Sequence, residues 1–268
     1  MKRFALSAVL VAVATPLAAQ TTVYNNMYNP APGNYVSQGF ECCQVQAVGG
    51  LISMSSGGTL EVARFGMSSW AKASDWVGFG GNTGAGFTAP ITLTIFDGTG
   101  GTLGAQLFTT TSSQYIPYRP EADATCPGGT AWRDQTGACF NGMAFEIAFA
   151  PIGWLLPQDI GYVLSYNTQT VGYNPTGTPT PMNSINVGLL AGLGGTTVGS
   201  TINALYDMTT GGMTVDDGSY GYSTLAEFRI VSPGSGGQDV VPEPATMTLL
   251  ATGLAGMAAA RRRKAKRS

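Results

Sequence analysis

Cys126 and Cys139 flank the stretch PGGTAWRDQTGA. Its proline and glycines let the chain reverse and bring the two sulfurs together, so a local disulfide is expected. Such a bridge would stiffen a loop that presents Trp132, Arg133 and Asp134, with Tyr118 a little upstream. A flat aromatic face beside a guanidinium and a carboxylate can stack on a sugar and hydrogen-bond its hydroxyls. These four residues are therefore the candidate ligand-binding set. The plainer reading, which is favoured, is that the bridge pins a long loop with no core of its own. Cys42 and Cys43 are neighbours, and on a strand their side chains would point to opposite faces. Zinc would need more ligands, and the 268 residues contain no histidine. A structural vicinal bridge is the expected state of Cys42 and Cys43, although four cysteines allow three pairings.

The missing histidine also removes Ser-His-Asp and Cys-His catalysis and HExxH zinc sites. Two carboxylates across a cleft could still hydrolyse a glycoside, and Glu146 and Glu227 are the candidates. Each stands opposite a Phe/Ile strand face, where acids are ordinarily solubilising, and nothing in their spacing is specific. No catalytic residue is assigned and no enzyme is expected. Asp207, Asp216 and Asp217 with Gly218 could offer oxygens to calcium, but EF-hand spacing is missing and an Asp-Gly turn explains them. Beyond that calcium option, no cofactor or metal is expected. Trp70, Trp76 and Tyr115 join Tyr118 and Trp132 as aromatics that either form a sugar platform or fill a core.

The elements that would position these residues read as strands. In ITLTIFDGTGGTLGAQLFTTT (91–111), Ile91, Leu93 and Ile95 alternate with threonines, a Gly-rich turn follows, and Leu103, Ala105 and Leu107 resume. This predicts a hairpin. MAFEIAFAP (143–151), GYVLSYNT (161–168), SINVGLLAG (184–192) and STLAEFRIVSP (223–233) are further strands, as are GFECCQVQAV (39–48), TLEVARFGMSS (59–69) and DWVGFG (75–80). Residues 187–208 could instead hold a short helix. Many short strands between turn signals predict an all-β fold, a two-sheet antiparallel β-sandwich of jelly-roll-like type, over residues 20–231. Residues 232–241, SPGSGGQDVV, read as a flexible linker.

The two ends differ from this body. Lys2 and Arg3, an apolar run to Ala14, then Pro16, Ala18 and Ala19 read as a signal peptide over residues 1–19, which implies Sec export and signal peptidase. At the other end Pro242, Glu243 and Pro244 hold the chain extended. The uncharged run 245–260 follows, then RRRKAKR from Arg261. As a helix that run would reach about 24 Å at 1.5 Å per residue, short of the ~30 Å hydrocarbon core. A marginal transmembrane helix with a cytoplasmic positive cluster suits a transient anchor. Residues 21–241 keep five of the thirteen basic residues and fourteen of the fifteen acids, a net of −9. That excludes a nucleic-acid footprint.

The tail 242–268 resembles the PEP-CTERM sorting signal of bacterial exported proteins, in the motif Pro242-Glu243-Pro244, the short apolar helix and the closing Arg261, Arg262 and Arg263. The resemblance implies processing by a membrane-embedded exosortase and delivery to the cell surface or an exopolysaccharide matrix, often in biofilm-forming bacteria. It implies nothing about the activity of residues 20–231. The reading that results is a surface or matrix protein with a structural or adhesive ectodomain. The alternatives are an exopolysaccharide-binding module and a polysaccharide hydrolase.

Overall fold

Alternation of apolar and polar side chains decides which face of each strand is buried. The computed structural model describes residues 20–40, 45–76, 84–150, 153–166, 185–208, 212–216 and 221–231. Both ends, the 232–241 linker and Cys42 and Cys43 lie outside the described residues. In chain order the strands are β1 (Gln20–Asn25), β2 (Val36–Gly39), β3 (Val45–Ser53), β4 (Gly58–Ser69), β5 (Gly86–Asp97), β6 (Gln106–Pro117), β7 (Trp132–Arg133) and β8 (Cys139–Phe140). They continue with β9 (Met143–Phe149), β10 (Trp154–Leu156), β11 (Asp159–Ser165), β12 (Ile185–Ala191), β13 (Ser200–Met208), β14 (Gly212–Val215), β15 (Tyr222–Thr224) and β16 (Ala226–Val231).

These strands make two large antiparallel sheets, as the alternation predicts. One has eight strands in the order β1-β16-β4-β12-β15, with β9 and β10 also on β4 and β2 on β12. The other has six, in the order β14-β13-β3-β11-β5-β6. Strand β4 is the spine of the first sheet. Its length lets it pair with β16 and then β12 along one edge, and with β10 and then β9 along the other.

Between the sheets lies one apolar core. At its centre Phe65 of β4, Tyr162 of β11 and Phe228 of β16 meet with ring centroids 5.1–5.9 Å apart. The buried phenol of Tyr162 donates to the Thr224 carbonyl at 3.2 Å, and the Thr224 hydroxyl donates to the Gly49 carbonyl at 3.0 Å. A polar line thus crosses the core fully satisfied, as burial requires. Gly49 has no room for a side chain, since a Cβ there would lie 1.7 Å from the Tyr162 carbonyl oxygen.

The predicted hairpin at 91–111 is present as β5 and β6, but its turn is longer than the pattern implied. Leu103 belongs to the turn and packs over the outer face of the six-stranded sheet beside Val163 and Leu205. The possible helix within 187–208 is instead strand β12, a turn, and strand β13. Apolar residues there follow neighbouring strands rather than a helical period. The expected strand at 75–80 begins with a short 3-10 turn over Ala73–Trp76, and the rest of it lies outside the described residues.

Candidate functional site

Between β6 and β9 the chain makes a long excursion that carries the small β7–β8 ladder. Cys126 and Cys139 are joined in a disulfide with Cα atoms 5.9 Å apart. The pairing expected from the glycines is therefore formed. Gly128 and Gly129 both take positive φ, of 76° and 64°, in the turn after Cys126, a conformation that glycine adopts without steric cost.

Of the candidate residues, Trp132 and Tyr118 are buried, whereas Arg133 is exposed and Asp134 is half-buried. Trp132 is only 8% exposed, its indole N–H donates to the Gly142 carbonyl at 2.7 Å, and its ring tilts against Phe140. Tyr118 is buried beside Phe87. Arg133 turns back on its own loop, donating to the Asp123 carboxylate, the Thr125 carbonyl and the Gly137 carbonyl. Asp134 accepts from the hydroxyl and amide of Thr136 and from the amide of Ala138. Those bonds, the Thr136 hydroxyl first, hold its carboxyl below the ordinary aspartate value. Asp123 is lowered likewise, by the Thr125 hydroxyl and amide and then by Arg133. The loop's polar groups are spent on its own shape. A buried indole offers no face to a pyranose, so sugar stacking on Trp132 is not carried further.

Arg119 fastens the root of the excursion, and sequence reasoning passed over it. It is buried, and its guanidinium donates to the carbonyls of Trp70, Pro120 and Thr130 at 3.1–3.2 Å. The available signal was its place between the end of a strand and Pro120, where an exposed cation has nothing to bind.

Glu146 and Glu227 do lie near one another, on the outer face of the eight-stranded sheet, but Arg64 stands between them. Its guanidinium reaches Glu146 at 2.5 Å and Glu227 at 3.2 Å, and Arg229 closes on Glu227 at 2.9 Å. Cross-strand register explains the row, since Arg64 pairs with both Ala148 of β9 and Glu227 of β16. The space where a glycosidic bond would sit is filled by a cation. The Arg64–Glu146 pair is half-exposed on both sides and worth little to stability, whereas Glu227 is buried between two guanidinium groups. The acidic residues near the β13–β14 hairpin do not converge either. Asp207 sits opposite Met213 and accepts from Gln46, whereas the amide of buried Asp216 donates to the Ala204 carbonyl three residues further along β13. Asp217 and Gly218 lie outside the described residues. Among the described residues no group of three or more acids, cysteines or histidines could hold a metal ion.

A concave surface lies on the outer face of the six-stranded sheet. It encloses about 570 Å³ and is lined by Thr92, Thr94, Phe96, Ser165, Gln46 and Asp207 among others. Beside it hydroxyls pair between β5 and β6, Thr92 with Thr111 at 2.7 Å and Thr94 with Thr109 at 3.1 Å. Further along the same strand pair Tyr115, opposite Thr88, is 55% exposed. Of the candidate aromatics, Trp70 and Tyr115 are the exposed ones among the described side chains, and that of Trp76 lies outside them.

Residues 240–264 match the family described as the PEP-CTERM protein-sorting motif. The match takes in Pro242, Glu243, Pro244 and Arg261 to Arg263 and leaves residues 20–231 unassigned. No curated protein and no solved structure matches the chain. Among the described residues no helix is long and apolar enough to cross a membrane, and the apolar run 245–260 lies outside them.

Proposed function

This chain carries a PEP-CTERM sorting signal and is thereby exported, held transiently at the membrane and processed by an exosortase, a membrane protease; we propose that its β-sandwich is a structural, cohesive module of the cell surface or extracellular matrix. The observation that carries this reading is the fate of the reactive-looking side chains. Trp132, Arg133, Asp134, Glu146 and Glu227 are all engaged in holding the fold. What the ectodomain turns outward at the β5–β6 end of its six-stranded sheet is a row of hydroxyls with few charges. Signal peptidase and the Sec machinery act at the N-terminus in this scheme, and a biofilm-type matrix is the destination. The test is fractionation of the native host with an antibody to the ectodomain, together with gene deletion. The reading expects the processed protein in the surface and matrix fractions, and looser cell aggregates in the deletion strain. A protein found only in the periplasm would overturn it.

A second reading is binding of exopolysaccharide, favoured by the groove of about 570 Å³ with its hydroxyls and amide. Polar groups placed along a concave face are what an extended glycan needs. Retention of the exported protein on the host's own polysaccharide, abolished by replacing both Thr92 and Thr94 with Val, would favour this role. A hydrolase draws no support from Glu146 and Glu227, and bound calcium draws none from Asp207 and Asp216.

A further inference from the structure

Strand β6 ends the six-stranded sheet, and among the described residues it pairs with β5 alone. It runs for twelve residues, QLFTTTSSQYIP, with no charge and no proline before its last position. Edge strands of soluble proteins are normally short, charged or interrupted, because an open row of N–H and C=O groups templates another strand. Here one irregularity occurs near the start, and the register with β5 is unbroken from Phe108 to Pro117.

The neighbouring rim touches this strand near both ends and is set back from its middle by a cavity. Trp154 stacks on Phe108 near one end, and Gln114 donates to the Ala148 carbonyl near the other. Between them a cavity of about 320 Å³ has Thr110, Thr111 and Ser112 on one side and Ala148, Phe149, Ala150 and Trp154 on the other.

We infer that β6 pairs antiparallel with β6 of a second copy, on a two-fold axis through Thr111. The sequence is self-complementary about that point. Thr111 meets its own symmetry mate, Thr110 meets Ser112, and Thr109 meets Ser113. Leu107 meets Tyr115, and both are exposed, at 37% and 55%. Directly opposed residues share a face of the sheet, so this register keeps the outer faces of both copies continuous. It also extends the hydroxyl pairs of Thr92–Thr111 and Thr94–Thr109 across the junction. A two-fold through Ser112 would pair Phe108 with buried Ile116 but set exposed Tyr115 against Thr109, parting the two exposed apolar side chains that the Thr111 register brings together. With no charge on the strand, self-pairing meets no like-charge penalty. The contact is isologous and closes at two copies.

This rests on the cohesive reading for its purpose but not for its test, because association is measured in solution wherever the protein is delivered. The exported protein, purified from its host, is followed by sedimentation velocity over a concentration series. Wild type is expected to shift from monomer to dimer. Thr111→Lys should weaken dimerisation about tenfold or more, since like charges then face each other. Its melting temperature should hold, because Thr111 is exposed. Mixing Thr111→Lys with Thr111→Glu should restore a heterodimer. Independently of that pair, Thr111→Cys should give a disulfide-linked dimer on oxidation. Thr109→Cys should do so only when mixed with Ser113→Cys. A wild-type protein that stays monomeric throughout, a dimer indifferent to Thr111→Lys, or equal cross-linking by Thr109→Cys alone would overturn the proposal. Failure of matrix localisation with dimerisation intact would remove only the cohesive reading.

Discussion

Buried Arg119 donates to three backbone carbonyls, those of Trp70, Pro120 and Thr130. Replacing it with Ala removes three charge-assisted hydrogen bonds, and the expected loss is about 3 kcal/mol by urea unfolding. Arg119→Lys should recover only part of it, since an ammonium cannot present a planar fork to three acceptors. Wild-type stability in the alanine variant would mean that water replaces the guanidinium. Asp123 and Asp134 set a different condition. Their folded values lie below the ordinary 3.8, chiefly through Thr125 and Thr136. A lowered acid contributes in full above its unfolded value and loses that contribution as pH falls through the folded one. Loop order, read by Trp132 fluorescence, should therefore be flat from neutral pH to about pH 4 and fall below it. Fluorescence that changes near pH 6 would contradict this. At this scale the residue types were visible in the sequence but their roles were not. Trp132 and Arg133 have the chemistry of a sugar site, yet a close backbone carbonyl on Gly142 and a loop that curls back on itself use the same donors.

The excursion between β6 and β9 is an element with little apolar content, and its covalent bridge stands in for a core. The bridge spans 13 residues, and by chain-entropy arguments removing it costs about 3 kcal/mol. Replacing Cys126 and Cys139 together with Ser should lower the melting temperature with β content retained in the far-ultraviolet circular dichroism spectrum. An unchanged melting temperature would mean that Arg119 and Trp132 suffice. Gly49 is the opposite case, an element position where nothing can be added. Gly49→Ala forces β3 away from β11, because the new carbon would occupy the place of the Tyr162 carbonyl oxygen. Expected is a protein that fails to accumulate in soluble form, and normal expression would show that β3 can shift. The strands themselves were legible. β9 buries Ile147 and Phe149 and exposes Glu146, as alternation requires. The stretch 187–208 was not, because two strands separated by a Gly-rich turn mimic a continuous apolar run.

At the scale of the whole molecule, three buried phenols tie stability to alkaline pH. Burial pushes Tyr24 up to about 12, against a smaller opposing effect of the Thr201 hydrogen bond. Burial and then the Glu146 charge raise Tyr35 to about 12, and burial takes Tyr162 well above 10.0. A phenol raised above its unfolded value favours folding fully below pH 10 and loses that advantage as pH climbs toward 12. Phenolate absorbance should thus show a group of tyrosines that ionise only together with unfolding. Complete, reversible titration near pH 10 in the folded protein would refute the burial argument. The tail gives the other whole-molecule prediction. Proline disfavours helix and alanine favours it, so replacing Pro242 and Pro244 with Ala should spoil recognition of the motif, and the host should accumulate an unprocessed, membrane-retained precursor on immunoblot. Normal maturation would count against recognition of the extended motif.

The sequence alone determined export and the class of fold. A sorting tail is a linear signal, read by order and spacing, and strand alternation repeats every two residues, so both survive without a third dimension. Tertiary structure decided which side chains are available. Arg64 lies more than eighty residues from Glu146 and further still from Glu227, yet β4 brings it between them and removes the carboxylate pair from hydrolytic use. Trp132 is hidden by Phe140 and Gly142, a contact that local pattern does not encode. Strand order likewise left β6, uncharged and rich in hydroxyls, at the end of a sheet. Burial and edges depend on residues far apart in the chain that packing brings together, and for that reason they appeared only in the folded molecule.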